Sequence, residues 1–275
     1  MTCSTLNRIP GFRLLLFLMM TGILSGAFGC AGRPLVMKTP PRAEDLVQRL
    51  ELHEKAIDSF LAMGDLTISS SKTYLRAELI VIGRYPDTLR WEVSSTFGTP
   101  LLYMVAKEED VTAVSFDKKS YYRSYTLSPY LPVSGLTAKD VSHILLGMPI
   151  LLEFTRSRSS YDPELDAWVL DLDNPKLKLK EQILLRADDY TPISLSLSHY
   201  QSEDAFRVAF SDFFSVATSP GFEAKYPQYI TITTQEQDTT IKINVKELQF
   251  DVPTKESLFK LPKPAGFKEV LLEGK

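Results

Sequence analysis

The feature that most constrains this chain is a run of segments in which apolar and polar residues alternate. Charged residues separate the apolar ones in Leu75–Val81, and in Leu89–Val93 the indole of Trp91 stands between Arg90 and Glu92. A period of two places successive side chains on opposite faces of a β-strand. Each segment therefore predicts a strand with one apolar and one polar face.

The same alternation recurs through most of the chain. It predicts further strands at Val111–Phe116, Tyr121–Tyr125, Trp168–Leu172, Leu177–Leu185, Ile193–Tyr200, Phe206–Phe213, Tyr229–Thr234 and Thr240–Phe250. In the last of these the phase slips at Glu247, which indicates a β-bulge. We expect about eleven strands in all, joined mostly by short turns.

Two segments predict amphipathic helices instead. Ala43–Met63 carries apolar residues at helical spacing and is expected to end at Gly64. Ser134–Gly147 contains Thr137 and Asp140 at the spacing of a capping box, which marks the start of a second, short helix.

These elements predict the fold class. Many one-sided strands must hide one continuous apolar face, and so wide a sheet tends to curl. Two helices cannot cover a flat sheet of this size, so we expect a mainly β (α+β) fold. In it a strongly curved antiparallel sheet, a half-open barrel, has its concave face partly closed by the two helices and encloses an apolar cavity. A two-sheet sandwich with a filled core remains the alternative.

The N-terminal residues 1–29 predict an export signal. Arg8 and Arg13 precede the apolar run Leu14–Leu24, which at about eleven residues is too short to span a bilayer comfortably. Small residues stand just before Cys30, in a pattern that resembles the bacterial lipobox. In that motif the cysteine is lipidated and becomes the first residue of the mature chain.

We therefore expect residues 30–42 to form a lipidated cysteine and its tether, and residues 43–275 to form one half-barrel domain. The acyl chains would hold the protein on a membrane, since each buried methylene contributes about 0.8 kcal/mol. Ala31, rather than Asp, follows the cysteine, which in the enterobacterial sorting rule implies the periplasmic face of the outer membrane. Phe28 departs from the lipobox, and an ordinary signal peptide is the alternative.

Composition and motifs argue against several other functions. The net charge of −3 is unsuited to a nucleic-acid partner. The three histidines lack metal-ligand spacing, and no P-loop or nucleophile elbow is present. Asp171 and Asp173 fit the polar face of a strand. We expect a monomer that is not an enzyme and has no cofactor and no metal.

Two segments carry a resemblance to a known family. They are RYPDTLRWEVSSTFGTPLLY at residues 84–103 and HILLGMPI at residues 143–150. Together with Cys30 and the order of predicted elements, they resemble the LolB-like outer-membrane lipoprotein receptors and their periplasmic carrier relatives. That family has a Ser-Pro-Leu-Gly-like turn after a strand; here Phe97 takes the place of the leucine and Thr96 that of the proline.

The resemblance implies a function and a site. Such proteins receive acylated lipoproteins from a soluble periplasmic carrier, take the acyl chains into the cavity, and insert the lipoproteins into the outer membrane. Phe97 and Gly98 would form the membrane-insertion turn, although Phe97 could instead fold back onto the sheet. The expected cavity wall consists of Leu79, Val81, Leu89, Trp91, Val93, Leu102, Met104, Ile144 and Leu145.

Alternation cannot distinguish a cavity wall from a filled core, so two other functions stay open. One is a carrier of free lipid or glycolipid with the same architecture. The other is a structural or assembly lipoprotein that holds a partner with its sheet edges or helix surface and has a filled core.

Overall fold

A computed structural model describes residues 37–54, 57–108, 110–125, 136–200, 206–218, 222–234 and 238–272. The predicted signal and Cys30 lie outside these ranges. Lys38–Lys275 form a compact unit. Because this unit has its own hydrophobic core, it is able to fold as an independent domain.

The described residues form two α-helices, a short 3-10 helix and fourteen strands. The α-helices are α1 (Ala43–Glu54) and α2 (Ala138–Leu145), and the 3-10 helix is Glu256–Phe259. The strands are β1 (Ser59–Ser70), β2 (Tyr74–Arg84), β3 (Thr88–Ser94), β4 (Pro100–Lys107), β5 (Asp110–Ser115), β6 (Ser120–Ser124), β7 (Arg156–Asp162), β8 (Ala167–Asn174), β9 (Leu179–Arg186), β10 (Pro192–His199), β11 (Phe206–Thr218), β12 (Phe222–Thr234), β13 (Thr239–Phe250) and β14 (Lys268–Leu272).

All fourteen described strands belong to one sheet, in the order β14-β6-β5-β4-β3-β2-β1-β13-β12-β11-β10-β9-β8-β7. Neighbours pair antiparallel except β14 and β6, which pair parallel. The sheet is curved and open, since β14 and β7 form its outer strands. The predicted half-open barrel is confirmed, with more strands than the eleven or so expected.

The strand β1 corrects the predicted length of the first helix. Helix α1 ends at Glu54, and the residues up to Met63 that were assigned to it continue as a strand. Gly64 does not end a helix but lies inside β1, where an added Cβ would be 2.1 Å from the carbonyl oxygen of Asn244. The glycine therefore permits close approach of two backbones, a reason that helical periodicity cannot reveal.

The bulge predicted near Glu247 is confirmed. Met63 pairs with Glu247, whereas the next residue, Gly64, pairs with Val245. Lys246 is thus the extra residue, and it and Glu247 are both exposed. The bulge keeps Leu248 on the buried face after the phase has changed.

Helix α2 begins at the predicted capping box. The Thr137 hydroxyl accepts a hydrogen bond from the Asp140 backbone N–H at 3.2 Å, and the Asp140 carboxylate accepts one from the Thr137 N–H at 2.8 Å. Gly147 follows the helix at φ +68°. In the part of the chain described above, neither α-helix has the length and apolar character needed to cross a membrane.

The turns between antiparallel strands lie along the two borders of the sheet that are formed by the ends of the strands. We call these borders edges; they are distinct from the outer strands β14 and β7. One edge carries the turns at residues 71–73, 95–99, 116–119 and 175–178, and we call it the Phe97 edge. The opposite edge carries the turns at residues 85–87, 163–166 and 187–191, and we call it the Tyr85 edge.

Candidate functional site

An apolar cavity of about 170 Å³ lies on the concave face of the sheet beneath α2. Its wall is supplied by α2, by the residue before its cap, and by strands β1 to β4, β12 and β13. The lining residues are Leu66, Ile68, Leu75, Leu79, Val81, Trp91, Val93, Leu101, Leu102, Leu136, Val141, Ile144, Leu145, Ile232, Ile241 and Ile243. The cavity reaches the Phe97 edge, because Val93 and Leu101 flank the turn at residues 95–99.

The structure brings most of the expected wall residues together. Seven of the nine line the cavity: Leu79, Val81, Trp91, Val93, Leu102, Ile144 and Leu145. Leu89 and Met104 point to the same face but lie outside the cavity wall, and each is 2% exposed. Leu89 pairs with Gly83, close to the Tyr85 edge, where the face is filled.

Four of the other wall residues were missed for a topological reason. Leu66 and Ile68 belong to β1, part of which was assigned to a helix. Ile241 and Ile243 were correctly assigned to a strand, but only the pairing of β1 with β13 brings them to the cavity. Alternation gives the face on which a residue lies and does not give the order of strands.

Trp91 is the one described lining residue whose side chain has a polar atom. Its indole Nε1 is buried and has no hydrogen-bond partner in the described structure. An unpaired buried donor is unfavourable, and a ligand carbonyl or carboxylate would satisfy it. Every other described lining side chain is purely apolar.

A buried histidine fixes the position of α2. The His143 Nδ1 lies 3.1 Å from the carbonyl oxygen of Pro149, and Nε2 lies 2.7 Å from the Tyr85 hydroxyl. Since a carbonyl only accepts, Nδ1 carries the proton and Nε2 accepts from the tyrosine. His143 is 4% exposed, so this histidine of α2 is buried beneath the helix and does not lie on the surface.

The turn that contains Phe97 is well defined. The backbone carbonyl of Ser95 accepts from the Gly98 N–H at 2.8 Å, and the Ser95 hydroxyl accepts from the N–H groups of Phe97 and Thr99 at 3.3 and 3.1 Å. Gly98 has φ +76°, a conformation that glycine adopts without strain. Phe97 is 94% exposed and does not fold back onto the sheet.

A buried carboxyl lies elsewhere on the concave face, on β9. Glu181 is 2% exposed; its Oε2 accepts from the Leu152 N–H at 3.2 Å, and its Oε1 has no partner among the described residues. Burial raises the pKa of Glu181 to about 8, and the nearby Asp140 charge adds to the rise. Glu181 does not line the cavity.

The polar candidates from the sequence do not form a site. Asp171 accepts from the Gln182 amide at 2.9 Å, and Asp173 accepts from the Tyr200 hydroxyl. The described ranges contain no group of three or more His, Cys, Asp or Glu side chains arranged to hold a metal ion.

Solved structures share this fold. A LolA superfamily protein from Nitrosomonas europaea matches with a TM-score of 0.55 and 10% identity, over 80% of this chain and 98% of that one. A domain from Vibrio parahaemolyticus, provisionally assigned to outer membrane lipoprotein sorting, matches with a TM-score of 0.56 and 11% identity, over 79% and 97%.

A DUF1329 family protein from Desulfovibrio piger matches with a TM-score of 0.55 and 10% identity, over 79% of this chain and 95% of that one. No family model and no curated protein matches the sequence. At these identities the likeness concerns the fold alone. The chain thus has the LolA/LolB-type fold.

Proposed function

We propose that this protein is a membrane-anchored lipoprotein that takes acyl chains into the cavity beneath α2. The observation that carries the proposal is the wall of that cavity, in which only Trp91 has a polar side-chain atom among the described residues. A wall of this kind favours hydrocarbon over water, and a dry cavity of similar size, about 150 Å³, is known to bind small apolar molecules. A purely structural role gives no reason for such a cavity.

The driving force for uptake would be burial of hydrocarbon. Each methylene transferred from water into the cavity contributes about 0.8 kcal/mol, and no catalytic group is required. A volume of about 170 Å³ holds only part of a long acyl chain. We therefore expect α2 to move outward when a complete chain binds. Its attachment to the sheet through His143 and Tyr85 would act as the pivot.

We propose more specifically that the protein has a LolB-like role in the delivery of lipoproteins. The lipidated Cys30 would hold the domain at the periplasmic face of the outer membrane, and a periplasmic carrier would supply lipoproteins. The exposed Phe97 lies in the turn that directly follows Val93, a residue of the cavity wall. An aromatic side chain at a membrane interface gains free energy by partial burial, so this turn is well placed to guide acyl chains into the bilayer.

Binding of an environment-sensitive fluorescent fatty acid to residues 38–275 tests the proposal. We expect saturable binding at micromolar concentration, with displacement by a diacylated lipopeptide. Displacement by free phospholipid but not by the lipopeptide would favour the alternative, a carrier of free lipid. Absence of binding to either would contradict both transport functions.

A further inference from the structure

The Phe97 edge carries exposed apolar side chains at the tips of its turns. Phe97 is 94% exposed, Tyr74 74% and Leu177 58%, and each lies in or next to a turn of that edge. Side chains of this kind in water gain free energy when they enter the headgroup region of a bilayer. The apolar tips are spread along the edge rather than gathered in one patch, which suits a flat partner more than a groove-binding peptide.

The same edge carries unpaired positive charge. Its turns contain the exposed lysines Lys72, Lys118, Lys119, Lys176 and Lys178. Within the ranges that the structure describes, none of these five forms an ion pair. Among the described residues within the turns at 71–73, 95–99, 116–119 and 175–178, the one acidic residue is Asp117, whose carboxylate accepts from the Ser115 hydroxyl and the Lys118 N–H. Glu153, Asp173 and Asp238 lie near the same edge.

The Tyr85 edge has the opposite character. Its described turns at residues 85–87, 163–166 and 187–191 contain Asp87, Glu164, Asp166, Asp188 and Asp189, and no lysine or arginine. Several basic residues near this edge form ion pairs. These are Lys38 with Asp166 at 2.6 Å, Lys225 with Asp189 at 2.7 Å, and Lys107 with Glu256 at 3.2 Å. Among the described turns between antiparallel strands, lysine is thus confined to the Phe97 edge.

We infer that the Phe97 edge docks on an anionic phospholipid surface. The chain as a whole carries a net charge of −3 and would be repelled by such a surface unless the lysine-bearing edge faced it. In that orientation the lysines meet headgroup phosphates, while Phe97, Tyr74 and Leu177 enter the interface. The inference rests on the proposed function and deepens it, because it turns the end of the cavity lined by Val93 and Leu101 towards the membrane.

Sedimentation of residues 38–275 with lipid vesicles tests this inference. Vesicles of phosphatidylcholine alone are compared with vesicles that also contain phosphatidylglycerol. We expect binding to the anionic vesicles only, and weakening when salt shortens the screening length. Replacement of Lys72, Lys118 and Lys119 by alanine should weaken binding on the order of a hundredfold, since each lysine near an anionic surface contributes roughly fivefold.

The matched control removes the same charge from the Tyr85 edge. The variant Lys38→Ala, Lys107→Ala, Lys225→Ala should bind the vesicles within about twofold of the parent domain, since its lysines would face away from the lipid. Equal loss in both triple variants, or equal binding to neutral and anionic vesicles, would overturn the inference. Fatty-acid binding is measured on the same samples in order to distinguish the two proposals. A domain that binds vesicles but not the fatty acid contradicts the cavity function alone. A domain that binds the fatty acid but not the vesicles contradicts docking alone.

Discussion

The two halves of the concave face differ although both are built from the same alternating strands. Under α2, most wall residues keep some accessible surface, with Leu79 and Ile241 each 7% exposed, although Val81 is 0% exposed. We call this part the cavity half. On β8 and β9, Leu170 and Ile183 are 0% exposed, and neither lines the cavity. We call this part, which includes Trp168 and Glu181, the packed half.

The elements that lie over the concave face, more than the sheet itself, thus decide whether that face is filled. The packed half is covered by the segment that follows α2, whose Leu152 N–H bonds to Glu181, and by α1, whose Leu46 is buried in the core. The cavity half is covered by α2 itself, a helix of only eight residues. Partly buried chains such as Leu151, Leu152 and Phe154 pack against the core from that segment. The short helix α2 leaves space beneath it in the cavity half. The segment after α2 fills the corresponding space in the packed half.

The largest expected effect concerns Glu181 in the packed half. Its pKa of about 8 lies above that of an ordinary glutamate, so the folded state binds a proton that the unfolded state releases. The resulting stability is complete below about pH 4.3, the ordinary glutamate pKa, and is lost as the pH rises towards 8. Glu181→Gln should remove this dependence and raise the free energy of unfolding at pH 8 by a few kcal/mol.

Urea unfolding at pH 5 and pH 8 checks this prediction. The exposed Glu78 on β2 provides the matched control, and Glu78→Gln should change stability by less than about 0.5 kcal/mol at either pH. If Glu181→Gln destabilises the domain as much at pH 8 as at pH 5, the carboxyl is not held neutral by burial.

A second pair of variants applies the same substitution, valine to phenylalanine, at the cavity wall and at a filled position outside it. Val141→Phe places a larger side chain at the cavity wall, and should weaken fatty-acid binding tenfold or more while leaving stability unchanged or raised by about 1 kcal/mol. Val208→Phe overpacks a site that is 0% exposed on β11 and outside the cavity wall. It should lower stability by about 1–3 kcal/mol and leave binding intact.

Thermal unfolding and fluorescent fatty-acid titration of both variants decide the matter. Equal destabilisation by the two substitutions would mean that the space beneath α2 is not available to a side chain, and hence not to a ligand.

The smallest effect on stability is expected at the two exposed turns. Phe97→Glu should slow transfer of a bound fluorescent fatty acid to vesicles several-fold without weakening its binding, because a charged tip is unfavourable in the interface. Leu165→Glu is the matched control, since Leu165 is 56% exposed in the turn between β7 and β8 of the packed half. Both variants should stay within about 0.5 kcal/mol of the parent in stability. Equal transfer rates would remove Phe97 from the proposed delivery step.

Much of the fold could be predicted because alternation and capping are local signals. The capping box at Thr137 and the bulge beside Glu247 need only a few neighbouring residues, and both are present as predicted. Strand β1 could not be recognised in the same way. Its apolar residues follow α1 closely, and the need for glycine at position 64 arises from Asn244, far away in the sequence.

The sequence predicted an apolar cavity but only some of the residues that line it. Facing positions such as Val93 and Leu102 follow from alternation, whereas the cavity's contribution from β13 depends on strand order. Alternation places Glu181 on the same face as Ile183 and Leu185, whereas a glutamate between Lys180 and Gln182 is typical of an exposed strand residue, so the sequence leaves its burial open. Its burial depends on the segment after α2, which crosses the sheet to reach it.

The most direct test of the central claim uses the two tryptophans, of which Trp91 lines the cavity and Trp168 lies in the packed half. Trp168→Phe leaves Trp91 as the only indole, and Trp91→Phe leaves Trp168. We expect a bromine-substituted fatty acid to quench the fluorescence of the first variant saturably and to leave that of the second almost unchanged. Equal quenching of both, or no quenching of Trp91 at concentrations where the fatty acid is bound, would show that acyl chains do not occupy the cavity beneath α2.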